Sequence, residues 1–344
     1  MKQYSVLPYM LKRWDKVGRK LALEAETLDE FEHWKKTATA RLKELIGYDT
    51  MSKAAPEPEV FETKDCGDYT QYHMAIQSEP GVFVPMYVLK PKNGTGPFQP
   101  VIAAHGHVSC GKVSVAGVAK MPEISETIKE HNYDYGRQLC RAGFIVFCPD
   151  ARGFGERREE LAESDILGGS CSELNKMAIP LGQTVIGMWT WDLHRLIDYI
   201  ESRDDCDVSK LCCVGLSGGG YQTILATALD ERICCAVSSG YFYGARQSLL
   251  EMYNNCSCNY VPHLWEYLDI CDIVALIAPR KFLIETGDED ELNGRDGLEN
   301  VRSQLRVVAE AYKLHNKKDN LRHSIHKGGH KWYGTGTIEW LRCV

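Results

Sequence analysis

The sequence predicts an α/β protein with a mostly parallel central sheet and helices on both faces. A helical extension over residues 1–58 precedes a main domain over residues 59–344. Two observations lead to this. Hydrophobic spacing is helical through the first segment and changes after "AAPEPEV". Short apolar runs then alternate with longer amphipathic ones to the end of the chain, the pattern of repeated strand–helix units. With 344 residues, the chain is long enough to bury a large core unaided.

In the extension, "TLDEFEHWKKTATARLKELIG" opens at Thr27 with Glu30 three residues on, a capping box. Leu28, Phe31, Trp34, Ala38, Leu42 and Leu45 recur at helical spacing, and Gly47 is placed to end the helix. This face reads as packed on the main body, with an oligomer contact as the alternative. "DYTQYHMAIQ" and "VFVPMYVLK" read as strands joined by "SEPG". The runs "VIAAHG", "FIVFCPD", "KLCCVGL", "ICCAVSS", "KFLIET" and "LRHSIH" read as further strands. Between them, "YDYGRQLCRAG", "VIGMWTWDLHRLIDYIESR", "YQTILATALD" and "NVRSQLRVVAEAYKLHN" read as helices. Two long connections, about 108–135 and 241–278, are placed to build a substrate pocket.

Composition excludes several function classes. Hydrophobic residues make up 44% and charged residues 25%, and the net charge of −7 comes with no basic block, so nucleic acid is not an expected partner. No stretch approaches the roughly 20 apolar residues of a membrane span. Lys12, Arg13, Asp15 and Lys16 interrupt the N-terminus, so no signal-peptide core fits and a cytoplasmic location is expected. The 14 cysteines therefore read as thiols. Cys212–Cys213 and Cys234–Cys235 read as small hydrophobes on opposite faces of strands. Cys256 and Cys258 form a close pair, but no second pair follows at finger spacing, and no metal is expected.

The chemistry centres on "VGLSGGG". A strand running into a helix through G-x-S-x-G reads as a nucleophile elbow, with Ser217 presented above the sheet and glycines 215 and 219 relieving crowding. A serine needs a base. His330 follows two glycines in a loop beyond the last strand, whereas His326 reads as a strand residue. The base needs an orienting carboxylate, and "ETGDEDE" offers Asp288, Glu289, Asp290 and Glu291, with Glu285 inside the strand less suited. Oxyanion donors are expected from the backbone amides of Gly218 and of His107, in the loop after "VIAAHGH". His105 and His107 as a metal pair is the minor reading, since no carboxylate or third histidine lies at supporting spacing. Asp150, Arg152 and Glu156 of "DARGFGE" read first as an ion-pair network. Tyr241, Phe242, Tyr243 and Trp332 read equally as pocket or core.

"AAHGH", "CPDARGFGER", "VGLSGGG", "ETGDED" and "KGGHKW" occur in the order seen in α/β-hydrolases. Over about residues 60–344 the chain resembles the dienelactone-hydrolase-related group that includes acetyl xylan esterase-like proteins, and its N-terminal helices resemble that group's leader. The resemblance implies that the acid lies three residues after a glycine at the strand end. From Gly287 that selects Asp290, with Asp288 second. Dienelactone hydrolases proper use a cysteine nucleophile where this chain has Ser217, which argues against that chemistry. The resemblance also implies a serine esterase acting on a small acyl ester of a carbohydrate or similar alcohol, with no cofactor. A serine peptidase or amidase with the same triad, and a non-catalytic binding protein on this scaffold, are the alternatives.

Overall fold

The computed structural model describes residues 4–160 and 167–344. Its strands are β1 (Glu59–Asp65), β2 (Tyr69–Glu79), β3 (Val82–Pro91), β4 (Pro100–Ala104), β5 (Ile145–Pro149), β6 (Cys212–Leu216), β7 (Cys235–Ser239), β8 (Lys281–Gly287) and β9 (Leu321–His326). They form one sheet in the order β1-β2-β3-β5-β4-β6-β7-β8-β9. The first three join antiparallel, and β3 pairs antiparallel with β5. From β5 to β9 every pairing is parallel. The helices are α1 (Leu7–Val17), α2 (Leu28–Leu45), α3 (Lys112–Val115), α4 (Pro122–His131), α5 (Tyr135–Arg141), α6 (Cys171–Ala178), α7 (Val185–Glu201), α8 (Gly218–Leu229), α9 (Leu264–Tyr267), α10 (Ile270–Ala275), α11 (Leu298–Leu314) and α12 (Thr337–Arg342).

The central strands are buried on both faces, as a parallel sheet requires. Alternation divides their side chains between two cores. Ile102, Ala104, Cys213 and Ile284 face the core that holds α2, α7, α8 and α11. Val101, Ala103, Cys212 and Leu283 face the core that holds α5 and α12. The adjacent cysteines 212 and 213 thus part to opposite faces, as expected from strand geometry.

The capping box of α2 forms in both directions between Thr27 and Glu30. Phe31, Ala38, Leu42 and Ile46 are fully buried, whereas Leu28, at the first helical position, is exposed. Burying Phe31, Leu42 and Ile46 stabilises by roughly 1.5–3 kcal/mol each. Polar ties fasten the extension further. Thr184 Oγ1 donates to the Ile46 carbonyl at 2.9 Å. Arg19 grips buried Asp272 at 2.8 and 2.9 Å. Tyr48 Oη meets His194 Nδ1 at 2.7 Å, and His194 Nε2 donates to the Ala226 carbonyl at 3.0 Å. Sequence periodicity did not locate β1, whose seven residues are all exposed on the sheet edge and carry no buried alternation.

Candidate active site

The site is built where β6, β7 and β8 end. Between β6 and α8, Ser217 takes φ +59° and ψ −123°, a conformation that side chains rarely adopt and that costs about 1–3 kcal/mol. The neighbouring glycines make the turn sterically feasible. A Cβ on Gly215 would collide with the backbone of Gly219, and one on Gly219 with the carbonyl of Ala104. The Ser217 amide donates to the Ser239 carbonyl at 2.9 Å, tying the elbow to β7. Its side chain stands half-buried at the mouth of the sheet.

His330 comes from the loop after β9. Its Nδ1 meets Asp290 Oδ2 at 2.7 Å. The carboxylate is buried, and its second oxygen accepts the Leu292 amide at 2.9 Å. With Nδ1 donating to Asp290, Nε2 is left as the basic nitrogen. The ring packs on Gly240, immediately after the β7 residue that receives the Ser217 amide. The nearby acidic residues divide the labour. Exposed Asp288 accepts the Gly328 amide at 2.8 Å and so shapes the histidine loop rather than touching the imidazole. Buried Glu285 holds the far end of that loop, accepting Thr337 Oγ1 at 3.1 Å and the Gly334 amide at 3.3 Å; burial pushes its carboxyl above the ordinary range.

Sequence reasoning did not bring α4 to this loop. His131 Nδ1 donates to the His330 carbonyl at 2.9 Å, and Asn132 Nδ2 to the Trp332 carbonyl at 3.1 Å. No local motif marks these two residues, because their role depends on where the 108–135 connection returns to the sheet.

The loop after β4 passes directly beside the elbow. A Cβ on Gly106 would lie 2.9 Å from Ser217 Cβ. The Tyr133 hydroxyl accepts the Gly106 amide and donates to the His107 carbonyl, both at 3.0 Å. The Gly106 carbonyl accepts from His105 Nδ1 at 2.8 Å and from Ser109 Oγ at 2.7 Å. A trans peptide then turns the His107 N–H to the opposite side. His105 Nε2 accepts the Ala151 amide at 3.0 Å. Both His105 nitrogens are therefore engaged inside the fold, and burial lowers its pKa; it does not pair with His107.

The "DARGFGE" segment forms the expected ion-pair network. Buried Lys112 meets Asp150 at 2.6 Å and also binds Glu156. Arg152 and Arg157 converge on Asp192 at 2.8 and 2.7 Å. Burial alone would raise the Asp192 pKa, but the two guanidiniums hold it at about 2. Tyr241, Phe242, Tyr243 and Trp332 are buried as core. Tyr241 stacks on Tyr221 and Trp332 on Tyr135, each at 4.5 Å. An open cleft of about 650 Å³ reaches His330 and Asp290, with Asn254, Asn255, Glu289 and Glu291 among its lining.

A family model described as "Abhydrolase family" matches residues 2–331. The chain belongs to that family. YtaP of Bacillus subtilis (strain 168), provisionally named a hydrolase, is 28% identical over 226 residues, covering 65% of this chain and 71% of its own. Among solved structures, a Bacteroides fragilis protein provisionally named an acetyl xylan esterase superposes with a TM-score of 0.78 at 17% identity, covering 95% of this chain and 83% of that one. A glucuronoyl esterase from Solibacter usitatus gives 0.68 at 14% identity over 99% and 97%. Acetyl xylan esterase 1 from Thermoanaerobacterium sp. gives 0.58 at 15% over 96% and 97%. These likenesses establish the α/β-hydrolase fold. The family match begins at residue 2, so it takes in the N-terminal extension as well as the sheet. Among the described residues, no helix is long and apolar enough to cross a membrane.

One grouping in this hydrolase lay outside the expectation of no metal. His107, Cys171, Cys256 and Cys258 place one ligand atom each within 4.8 Å of one another. The sequence signalled the Cys256–Cys258 pair and, in a different pairing with His105, His107; it gave no sign of Cys171, nor that these residues converge from separate connections.

Proposed function

We propose that this chain is a serine carboxylic-ester hydrolase that removes a small, acetyl-like acyl group from a carbohydrate or similar alcohol. The observation that carries the reading is the 2.7 Å pairing of His330 Nδ1 with buried Asp290, on a loop packed against Gly240, next to the β7 residue that receives the Ser217 amide. His330 Nε2 takes the proton of Ser217 as its oxygen attacks the ester carbonyl. Asp290 holds the tautomer and stabilises the imidazolium. The Gly218 amide, at the first position of α8 where the helix itself supplies no acceptor, and the His107 amide receive the oxyanion. His330 then protonates the departing alcohol, and water activated by the same nitrogen releases the acid.

The polar cleft supports an uncharged, hydroxyl-rich alcohol. Asn254 and Asn255 offer donors and acceptors, and Glu289 and Glu291 disfavour an anionic substrate. Neighbours named as acetyl xylan and glucuronoyl esterases support carbohydrate esters as the class to test first.

The test is a panel of aryl esters of increasing acyl length, acetylated sugars, a glucuronate methyl ester and peptide amides. It is run with the native chain and with Ser217→Ala. The native chain is expected to prefer short acyl esters and to react with a fluorophosphonate at Ser217. Ser217→Ala is expected to lose about 10⁴-fold or more in kcat with the fold intact. Full activity in that variant overturns the mechanism, and faster cleavage of peptides than of esters overturns the esterase reading.

A further inference from the structure

We propose that His107, Cys171, Cys256 and Cys258 form a closed structural zinc site beside the serine elbow. The four residues come from three separate parts of the chain. His107 lies in the loop after β4, Cys171 is the first residue of α6, and Cys256 and Cys258 belong to the 241–278 connection. His107 Nε2 lies 3.3 Å from Cys258 Sγ, and all four ligand atoms fall within 4.8 Å of one another. A tetrahedral zinc with bonds of about 2.3 Å to sulfur and about 2.0 Å to nitrogen separates its ligands by roughly 3.5–3.8 Å. The 3.3 Å contact would lengthen slightly and the widest pairs shorten by about 1 Å to reach that geometry.

The donor chemistry selects the ion. Three thiols and one imidazole form the Cys₃His set of structural zinc sites, while hard cations such as magnesium and calcium take oxygen ligands. Four protein ligands leave no open position, so the ion is structural rather than a Lewis acid for the ester. Thiols are weak hydrogen-bonding partners; a shared cation gives the convergence an energetic reason. The surroundings suit thiolates. Cys171 sits at a helix N-terminus, and the Asn259 side-chain amide lies 3.8 Å from Cys258 Sγ. Asn259 is itself held, bonding the Cys256 carbonyl at 3.0 Å and accepting Tyr241 Oη.

The site also has a place in the architecture. The other side of the His107 ring rests on the elbow, where a Cβ on Gly218 would come within 2.7 Å of Nδ1. Fixing Nε2 to a metal joins α6 and the 241–278 connection to the loop whose amide we assign to the oxyanion. His107, Cys171, Cys256 and Cys258 are then positioning residues.

The test is metal analysis of the full-length chain purified under reducing conditions, by inductively coupled plasma mass spectrometry. About one zinc per chain is expected. Cys171→Ser and Cys258→Ser are expected to lose at least tenfold in bound zinc, while exposed Cys343→Ser retains it. Because a cluster variant can fail to fold, the native chain is also stripped with a chelator and titrated with cobalt(II). Thiolate-to-cobalt charge-transfer bands and tetrahedral ligand-field bands should saturate at one equivalent and bleach on adding zinc. Stripping should lower the thermal midpoint by about 5 °C or more, restored by zinc. Protein that is metal-free as isolated and gives no cobalt spectrum overturns the proposal. So does zinc retained by both serine variants, or a disulfide within the cluster in the reduced, purified chain.

Discussion

The serine elbow and the cysteine cluster meet on the two sides of one imidazole, yet they are encoded in opposite ways. At the elbow, strand, serine and glycines fall within a single short run, and the φ of Ser217 and the tight packing of Gly215 and Gly219 follow from local geometry. At the cluster, residue 107, residue 171 and the 256/258 pair lie in three separate runs, and their convergence depends on how three connections cross the mouth of the sheet. A site whose demands are steric and local leaves a motif. One assembled from distant loops leaves only fragments, here Cys256-x-Cys258 and His105-x-His107.

The Asp290–His330 pair lies between these extremes, joining residues 290 and 330 from two separate loops, and its loss should have the largest effect. Asp290→Asn keeps the shape of the turn but presents an amide to His330 Nδ1, removing the charge and favouring the wrong tautomer. A loss of about 10³–10⁴-fold in kcat is expected, with little change in thermal stability. Steady-state kinetics on an activated acetate ester measures it. A loss under tenfold would mean that another group orients His330.

The same contrast explains what was legible. The strands of the central sheet were readable because burial on both faces demands unbroken apolar runs. β1 was not, because all of its side chains face solvent. Ser217 was singled out by its strand–turn–helix motif and His330 by its place in a loop after the last strand. Among the acids, residue type could not separate Asp288 from Asp290, because both stand in one turn and differ only in direction. One bonds the Gly328 amide and the other the imidazole. The supporting contacts of His131, Asn132 and Tyr133 were invisible, because their value lies in carbonyls and amides that any sequence supplies.

A second prediction moves from the site to the extension that braces the fold from the other face. Burial lowers the pKa of His194 to about 4, against roughly 6.5 in an unfolded chain. Between those values the unfolded state binds the additional proton, so stability rises with pH across that window and is fully present above about 6.5. The contribution is about 3 kcal/mol, lost as pH falls through 6.5 towards 4. Urea denaturation at pH 7.5 and pH 5 should show the fall. His194→Gln can still donate to Ala226 and accept from Tyr48, and it should flatten the dependence. An unchanged pH dependence in that variant would place the effect elsewhere.

The smallest expected effect bears most directly on the acid turn. Asp288→Asn retains an acceptor for the Gly328 amide but removes the charge, at an exposed position. The expected cost is within about 0.5–1 kcal/mol of stability. Because Asp288 acts through the histidine loop, its activity loss should be only a few-fold, and an unchanged pH–rate profile should accompany it. Asp290→Asn, two residues away, should reshape that profile by altering the base. If the two variants lose activity equally, the two carboxylates share one task, and the division of labour drawn from their hydrogen bonds fails.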